Sequence, residues 1–161
     1  MIPKVDVYLG LGSNEGEREV QLMRAMTLLD QAFGGTPERI SKIIETPAWG
    51  FEGPAFLNCC VLYKIPADGH PVEQAQELLR TVKSIETSLG RRQEPLLNEL
   101  GERVYHNRPI DIDILFFGKE VIQTEDLIIP HPLIAQRDFV LKPLKEIARA
   151  SLREAFPEIF A

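Results

Sequence analysis

A chain of 161 residues is about one domain long and large enough to bury one core, which argues against two independent catalytic domains. With 44% hydrophobic and 26% charged residues it has the balance of a soluble globular protein, not of a disordered or fibrous one. The net charge of −6 and a pI of about 5.1 set a field that repels nucleic acid and anionic membranes, so a phosphate-bearing partner needs a local basic cluster.

No apolar run approaches a membrane span, and the first residues lack the parts of a secretory signal, so the expected compartment is the cytoplasm. Val5, Val7, Leu9 and Leu11 lead a first strand that ends at Gly12-Ser13-Asn14, where Ser13 or Asn14 is expected to cap the next helix. Residues 18–33 carry Val20, Met23, Met26, Leu28, Leu29 and Phe33 at helical spacing, and Gly34-Gly35 stops the pattern. Branched residues over 39–45 predict a strand, followed by a loop through Pro54 and a paired strand over 56–65. Cys59 and Cys60 are neighbours in that strand, so their side chains face opposite ways and two reduced, buried thiols are expected.

Past the turn at 66–71, Val72, Ala75, Leu78, Leu79, Val82, Ile85 and Leu89 form one helical stripe, with Gly90 as its stop. Residues 91–107 have no period and read as one long loop, a length uncommon in compact domains unless the segment is functional or disordered. Ile110, Ile112, Ile114 and Phe116 alternate with Asp111, Asp113, Leu115 and Phe117 in a further strand, and Gly118-Lys119 turns into Glu120-Val121-Ile122. Pro130-His131-Pro132 makes a stiff turn before a helical pattern from Leu133 to about Ala148, interrupted near Pro143. The order strand, helix, strand, strand, helix, strand predicts an α+β, ferredoxin-like sandwich over residues 1–161: one sheet, helices on one face, and C-terminal additions.

Four features are candidates for chemistry. Gly10, Gly12 and Gly16 sit where a dinucleotide fingerprint would, but the third glycine comes four residues after the second, which leaves a structural turn. Asp111 and Asp113, two apart on a strand, project from one face. Two readings of the pair stay open: a solvated sheet face, or ligands for a hard cation such as magnesium, which takes one or two carboxylates beside substrate phosphates. Arg91, Arg92, Arg103, His106 and Arg108 before the pair, with His131 and Arg137 after it, give the basic groups that phosphoryl transfer uses for positioning and charge. Finally, Thr46 and Trp49, with Phe56, Asn58 and Phe139, place aromatic rings near hydrogen-bonding groups, an arrangement suited to a flat heterocycle and equally to ordinary packing.

Taken together, Leu9-Gly10-Leu11-Gly12-Ser13-Asn14, Thr46-Pro47-Ala48-Trp49-Gly50, Phe56-Leu57-Asn58, Leu89-Gly90-Arg91, the run from Arg108 to Leu115 and Pro130-His131-Pro132 resemble the 6-hydroxymethyl-7,8-dihydropterin pyrophosphokinase family. The resemblance spans residues 8–148 and implies a ferredoxin-like fold. It implies transfer of pyrophosphate from ATP to the pterin hydroxymethyl group, with release of AMP, in folate biosynthesis. By position, Asp111 and Asp113 would hold two magnesium ions, and Thr46, Trp49, Phe56, Asn58 and Phe139 would bind the pterin. Glu86, Arg108, Ile114, His131 and Arg137 would meet the nucleotide, while Arg91 and Arg92 from the loop, with Arg108, would serve catalysis. Gln93, Tyr105 and Asp126 depart from the residues usual in the family. A monomer acting on small molecules, with no nucleic-acid or membrane partner, is the implied state. A sheet-based RNA-recognition module is disfavoured by the acid pair and the low pI.

Overall fold

A computed structural model describes residues 2–48, 53–90, 100 and 109–161. The first strand, β1 (Lys4–Ser13), lies inside an antiparallel sheet, paired on one side with β4 (Phe56–Pro66) and on the other with β5 (Asp111–Phe117). Two short strands, β2 (Arg39–Ile40) and β3 (Ile44–Thr46), both pair with β4, giving the order β2-β4-β1-β5.

The strand expected over 39–45 is thus two pieces, and Ser41 is the reason. Its N–H donates to the Cys60 carbonyl at 2.9 Å, while its Oγ accepts the Cys60 N–H at 2.8 Å. One residue satisfies both main-chain groups of its partner, so the chain bulges away and the register slips by one between Ile40↔Val61 and Ile44↔Asn58.

One face of the sheet is wholly apolar. Val7, Leu9, Leu11, Cys59, Val61 and Tyr63 pack there under α1 (Arg18–Phe33) and α2 (Pro71–Ser88). The buried stripe of α1 is Leu22, Ala25 and Leu29; Val20 and Met23 of the expected stripe face solvent. Tyr63 ties the layer to α1, its hydroxyl donating to Asp30 Oδ1 at 2.6 Å and its ring meeting Phe33 edge-on. Both helices stop at glycines with left-handed φ, Gly34 at 70° and Gly90 one residue past the cap of α2 at 97°. Neither Ser13 nor Asn14 caps α1: β1 runs on through Ser13, Glu17 takes the cap position, and the Asn14 amide instead donates to the Pro54 carbonyl at 3.1 Å.

The expected C-terminal additions lie on the second face. After the hairpin β6 (Ile122–Gln123) and β7 (Ile128–Ile129) and a 3-10 turn at Ile134–Gln136, α3 (Asp138–Ile147) and α4 (Ala150–Ala155) cover part of the second face, and α5 (Pro157–Phe160) ends the chain. Val140, Leu144, Ile147, Leu152 and Phe156 meet Tyr8, Cys60, Leu62, Leu115 and Phe116 there. The turn at Gly118-Lys119 does not return the chain onto β5, because β6 pairs with β7. Nor does Pro143 interrupt the helix; the break falls at Arg137, whose extended backbone (φ −118°, ψ 98°) separates the 3-10 turn from α3. Pro143 costs one bond near the helix start, to the Phe139 carbonyl, while its ring is buried. Among the described residues no helix is long and apolar enough to cross a membrane.

Candidate active site

Strand parity and register build the site on the second face, at the end that only the first turn of α3 reaches. Across three strands, Asn58, Gly12 and Asp111 form one row, and Cys60, Gly10 and Asp113 the next. The central position of each row is a glycine, so β1 contributes bare backbone between the amide on one side and the carboxylates on the other. A Cβ on Gly12 would stand 2.8 Å from Asn58 Oδ1, closer than real contacts allow. Sequence reasoning missed this role of the glycines and treated them as a turn. Their i, i+2 spacing, matching that of the aspartates, was the available signal.

A bulge aims the acidic strand. Between Tyr8↔Phe116 and Leu9↔Ile114 the register shifts by one, leaving Leu115 as the extra residue. Phe116 therefore joins Leu115 on the second face, and Phe117 returns to the first, reversing the alternation expected at those two positions. The bulge also leaves the Leu115 carbonyl to accept the His131 N–H at 3.1 Å. Pinned there, His131 lies with Nε2 3.9 Å from Asp113 Oδ1. The Leu133 N–H points at its Nδ1 at 3.4 Å, which matches a ring protonated on Nε2. Burial, and then the nearby Arg137 charge, lower the His131 pKa against an opposing pull from Asp111, favouring the neutral ring at pH 7.

Asn58 is itself held: its Nδ2 donates to Thr46 Oγ1 at 2.8 Å across the β3–β4 pairing. That leaves Oδ1 turned toward Gly12, with the Phe56 ring also beside that glycine. From above, Phe139 and Val140 of α3 close over Gly10, Gly12, Asn58 and the two aspartates, and the cleft between them holds about 20 Å³, room for one water. The Arg137 guanidinium sits over the Phe139 ring, 5.7 Å from its centre.

Glu86, near the end of α2, is 4% exposed. Its Oε2 accepts the Ile112 N–H at 2.8 Å, so this buried carboxylate anchors β5 between the two aspartates from the outer edge of the strand. Ile114 has its side chain in the core under α1 and α2, on the face opposite the acid pair. Its main-chain groups turn to the same edge as those of Ile112. Trp49, Arg91, Arg92, Arg103, His106 and Arg108 lie outside the described residues. Among the described residues no group of three or more His, Cys, Asp or Glu is arranged to hold a metal. The acid pair by itself would leave most of a cation's coordination to water and substrate oxygens.

The model of the 7,8-dihydro-6-hydroxymethylpterin-pyrophosphokinase family matches residues 8–149. The chain belongs to this family. It is 41% identical over 149 residues to the 2-amino-4-hydroxy-6-hydroxymethyldihydropteridine pyrophosphokinase of Bacillus subtilis, covering 92% of this chain and 81% of that protein. The enzyme of the same name from Aquifex aeolicus is 38% identical over 162 residues, with 94% and 91% covered. Among solved structures, an HPPK-DHPS crystal structure in complex with substrates aligns with TM-score 0.63 and 16% identity, over 98% of this chain and 43% of that one, a likeness of fold.

Proposed function

We propose that the chain is a pyrophosphokinase of folate biosynthesis that moves a pyrophosphoryl group from ATP to the hydroxymethyl oxygen of 6-hydroxymethyl-7,8-dihydropterin, releasing AMP. The observation that carries this reading is the pair of rows on the second face: an amide and an aromatic ring on one side of bare glycine backbone, two carboxylates on the other, in a chain of this family. The strand order β2-β4-β1-β5 with crossovers through α1 and α2 supports a ferredoxin-like classification, in one domain over residues 1–161. A cytoplasmic monomer requiring no macromolecular partner fits the acidic charge and the small-molecule substrates.

In this reading the nucleophile belongs to the substrate, so the protein binds, orients and neutralises charge. Asn58, fixed by Thr46, reads the polar edge of the pterin together with the chain around Trp49, while Phe56 and Phe139 stack on its faces. Asp111 and Asp113 fit magnesium by donor type and by their shared face, and they are the residues that would hold two such ions. Magnesium bound there supplies neutralisation of the phosphate oxygens and a lowered proton affinity of the attacking hydroxyl. Neutral His131 donates from Nε2, Arg137 offers its guanidinium to phosphate, and Arg91, Arg92 and Arg108 close on the same group from the loop. Glu86 keeps β5 in place beside the nucleotide, and Ile114 offers the adenine its main chain at the strand edge.

The test is a product assay with ATP, magnesium and 6-hydroxymethyl-7,8-dihydropterin that separates AMP from ADP. Pterin-dependent AMP is the expected result. ADP would make the chain an ordinary kinase, and bound pterin with no product would reduce it to a binding protein.

A further inference from the structure

The second face of the sheet carries another opening at its opposite end. Lys4, Asp6 and Tyr8 follow the same parity along β1 as Gly10 and Gly12, and Lys4 lies eight residues from Gly12, about 26 Å along the strand. Between the two ends the row of Leu62, Tyr8 and Phe116 is sealed under α3 and α4. At the far end a cavity of about 320 Å³ opens, the size of a small-molecule site.

Its walls are basic. Lys64 stands opposite Asp6 on β4, and Lys119 is brought over by the turn after β5, which the Gly118 N–H fixes to the Asp6 carbonyl at 2.7 Å. Arg149 and Ser151 enter from the junction of α3 and α4. Four cations thus face one carboxylate in a chain whose net charge is −6.

The partners of these groups are unequal. Arg149 is held, its Nε 3.0 Å from Asp6 Oδ2, its other end 3.9 Å from Glu38 and its main-chain N–H donating to the Tyr8 hydroxyl at 3.0 Å. Asp6 is therefore already engaged. Among the described residues Lys4, Lys64 and Lys119 have no carboxylate within 4.0 Å. Tyr8 is 1% exposed, and its hydroxyl accepts from Arg149 while its own proton has no acceptor among the described residues. Three ammonium groups around one hollow repel each other, and a small multivalent anion removes that repulsion while accepting a hydrogen bond from the Tyr8 hydroxyl. Val5 and Leu152 give the hollow an apolar wall.

We propose that this cavity is a second binding site, separate from the acid pair, for a small anion of the phosphate class. The probe is inorganic pyrophosphate without divalent cation, titrated in about 0.15 M salt, where charges more than about 8 Å apart are screened. The amide signals of Lys119 and Ser151 are followed separately from those of Gly10, Gly12 and Asp113. Saturable shifts at Lys119 and Ser151, weakened roughly tenfold or more in the Lys64→Gln/Lys119→Gln variant, are expected. The variant alters exposed side chains only, and unchanged signals elsewhere in its spectrum verify the fold. Shifts confined to Gly10, Gly12 and Asp113 would overturn the proposal, as would an equal titration in the variant or no saturable shift at Lys119 and Ser151.

Discussion

The same three strands present two different faces, and the contrast explains where chemistry sits. On the first face Val7, Leu9, Leu11, Val61 and Ile112 run unbroken under α1 and α2, helices of 16 and 18 residues, roughly 24 to 27 Å long. On the second, α3 has 10 residues and spans about 15 Å, against about 36 Å for the 11 residues of β4. Beneath that shorter cover the second face is apolar. Toward its ends the same alternation carries Gly12, Asn58, Asp111 and Asp113, with Phe56, on one side and Lys4 and Lys64 on the other. Helix length, more than strand composition, decides which sheet positions are free to bind.

The largest expected effect separates the open end from the core. Asp113→Ala should lower AMP formation by on the order of 10³. Because that side chain is 30% exposed, the unfolding free energy from urea melts should change by no more than about 0.5 kcal/mol. A variant that keeps its activity would remove the metal-ligand role. Next in size, the covered part of the second face should behave as core. Leu29→Ala and Leu144→Ala each truncate a side chain with no exposure, one on either face, and each should cost about 2 to 5 kcal/mol. If Leu144→Ala cost under about 1 kcal/mol in denaturant melts, α3 would be a loosely docked addition and the contrast of faces would fail.

How much of this was legible in the sequence follows the range of the interactions. Elements set by local pattern were readable: β1, the span of α1 and its stop at Gly34, α2, and the opposed burial of Cys59 and Cys60. The shared face of Asp111 and Asp113 was readable too, since spacing alone fixes it. The bulge was not, because Ile114 to Phe117 are all apolar and carry no mark of which way each points. Phe116 was accordingly assigned to the wrong face. The glycine floor needed the register of β1 against its neighbours, and the Glu86–Ile112 bond needed α2 to be seated against β5, both products of long-range packing. Pro143 misled for a related reason, since burial of α3 outweighs one missing hydrogen bond.

The two glycines permit a finer cut within the open end. A Cβ on Gly10 would make ordinary contact with Leu115 at 3.5 Å, whereas one on Gly12 meets Asn58 Oδ1 at 2.8 Å. Gly12→Ala should therefore cost about 1 to 3 kcal/mol and weaken pterin binding more than ATP binding, by calorimetry of each ligand, while Gly10→Ala stays near wild type in stability. Equal effects of both would show that the Asn58–Thr46 pair tolerates displacement and does not set the pterin edge.

The smallest effect uses the thiols, one on each face. Burial pushes the Cys59 pKa up to about 12 and raises that of Cys60 as well, so neither is a thiolate at neutral pH in the folded protein. In the unfolded chain both ionise near 9, so the folded state holds the extra protons. Their burial is thus neutral to stability below pH 9 and lowers it as pH rises from 9 toward 12. Urea melts at pH 7, 9 and 10.5 should show that decline, and replacing both cysteines by alanine should flatten it after correction for the shared loss of packing. At pH 8, alkylation of both thiols should proceed only through unfolding and at the same rate. Faster modification of Cys60 would mean that α3 opens over the second face on its own.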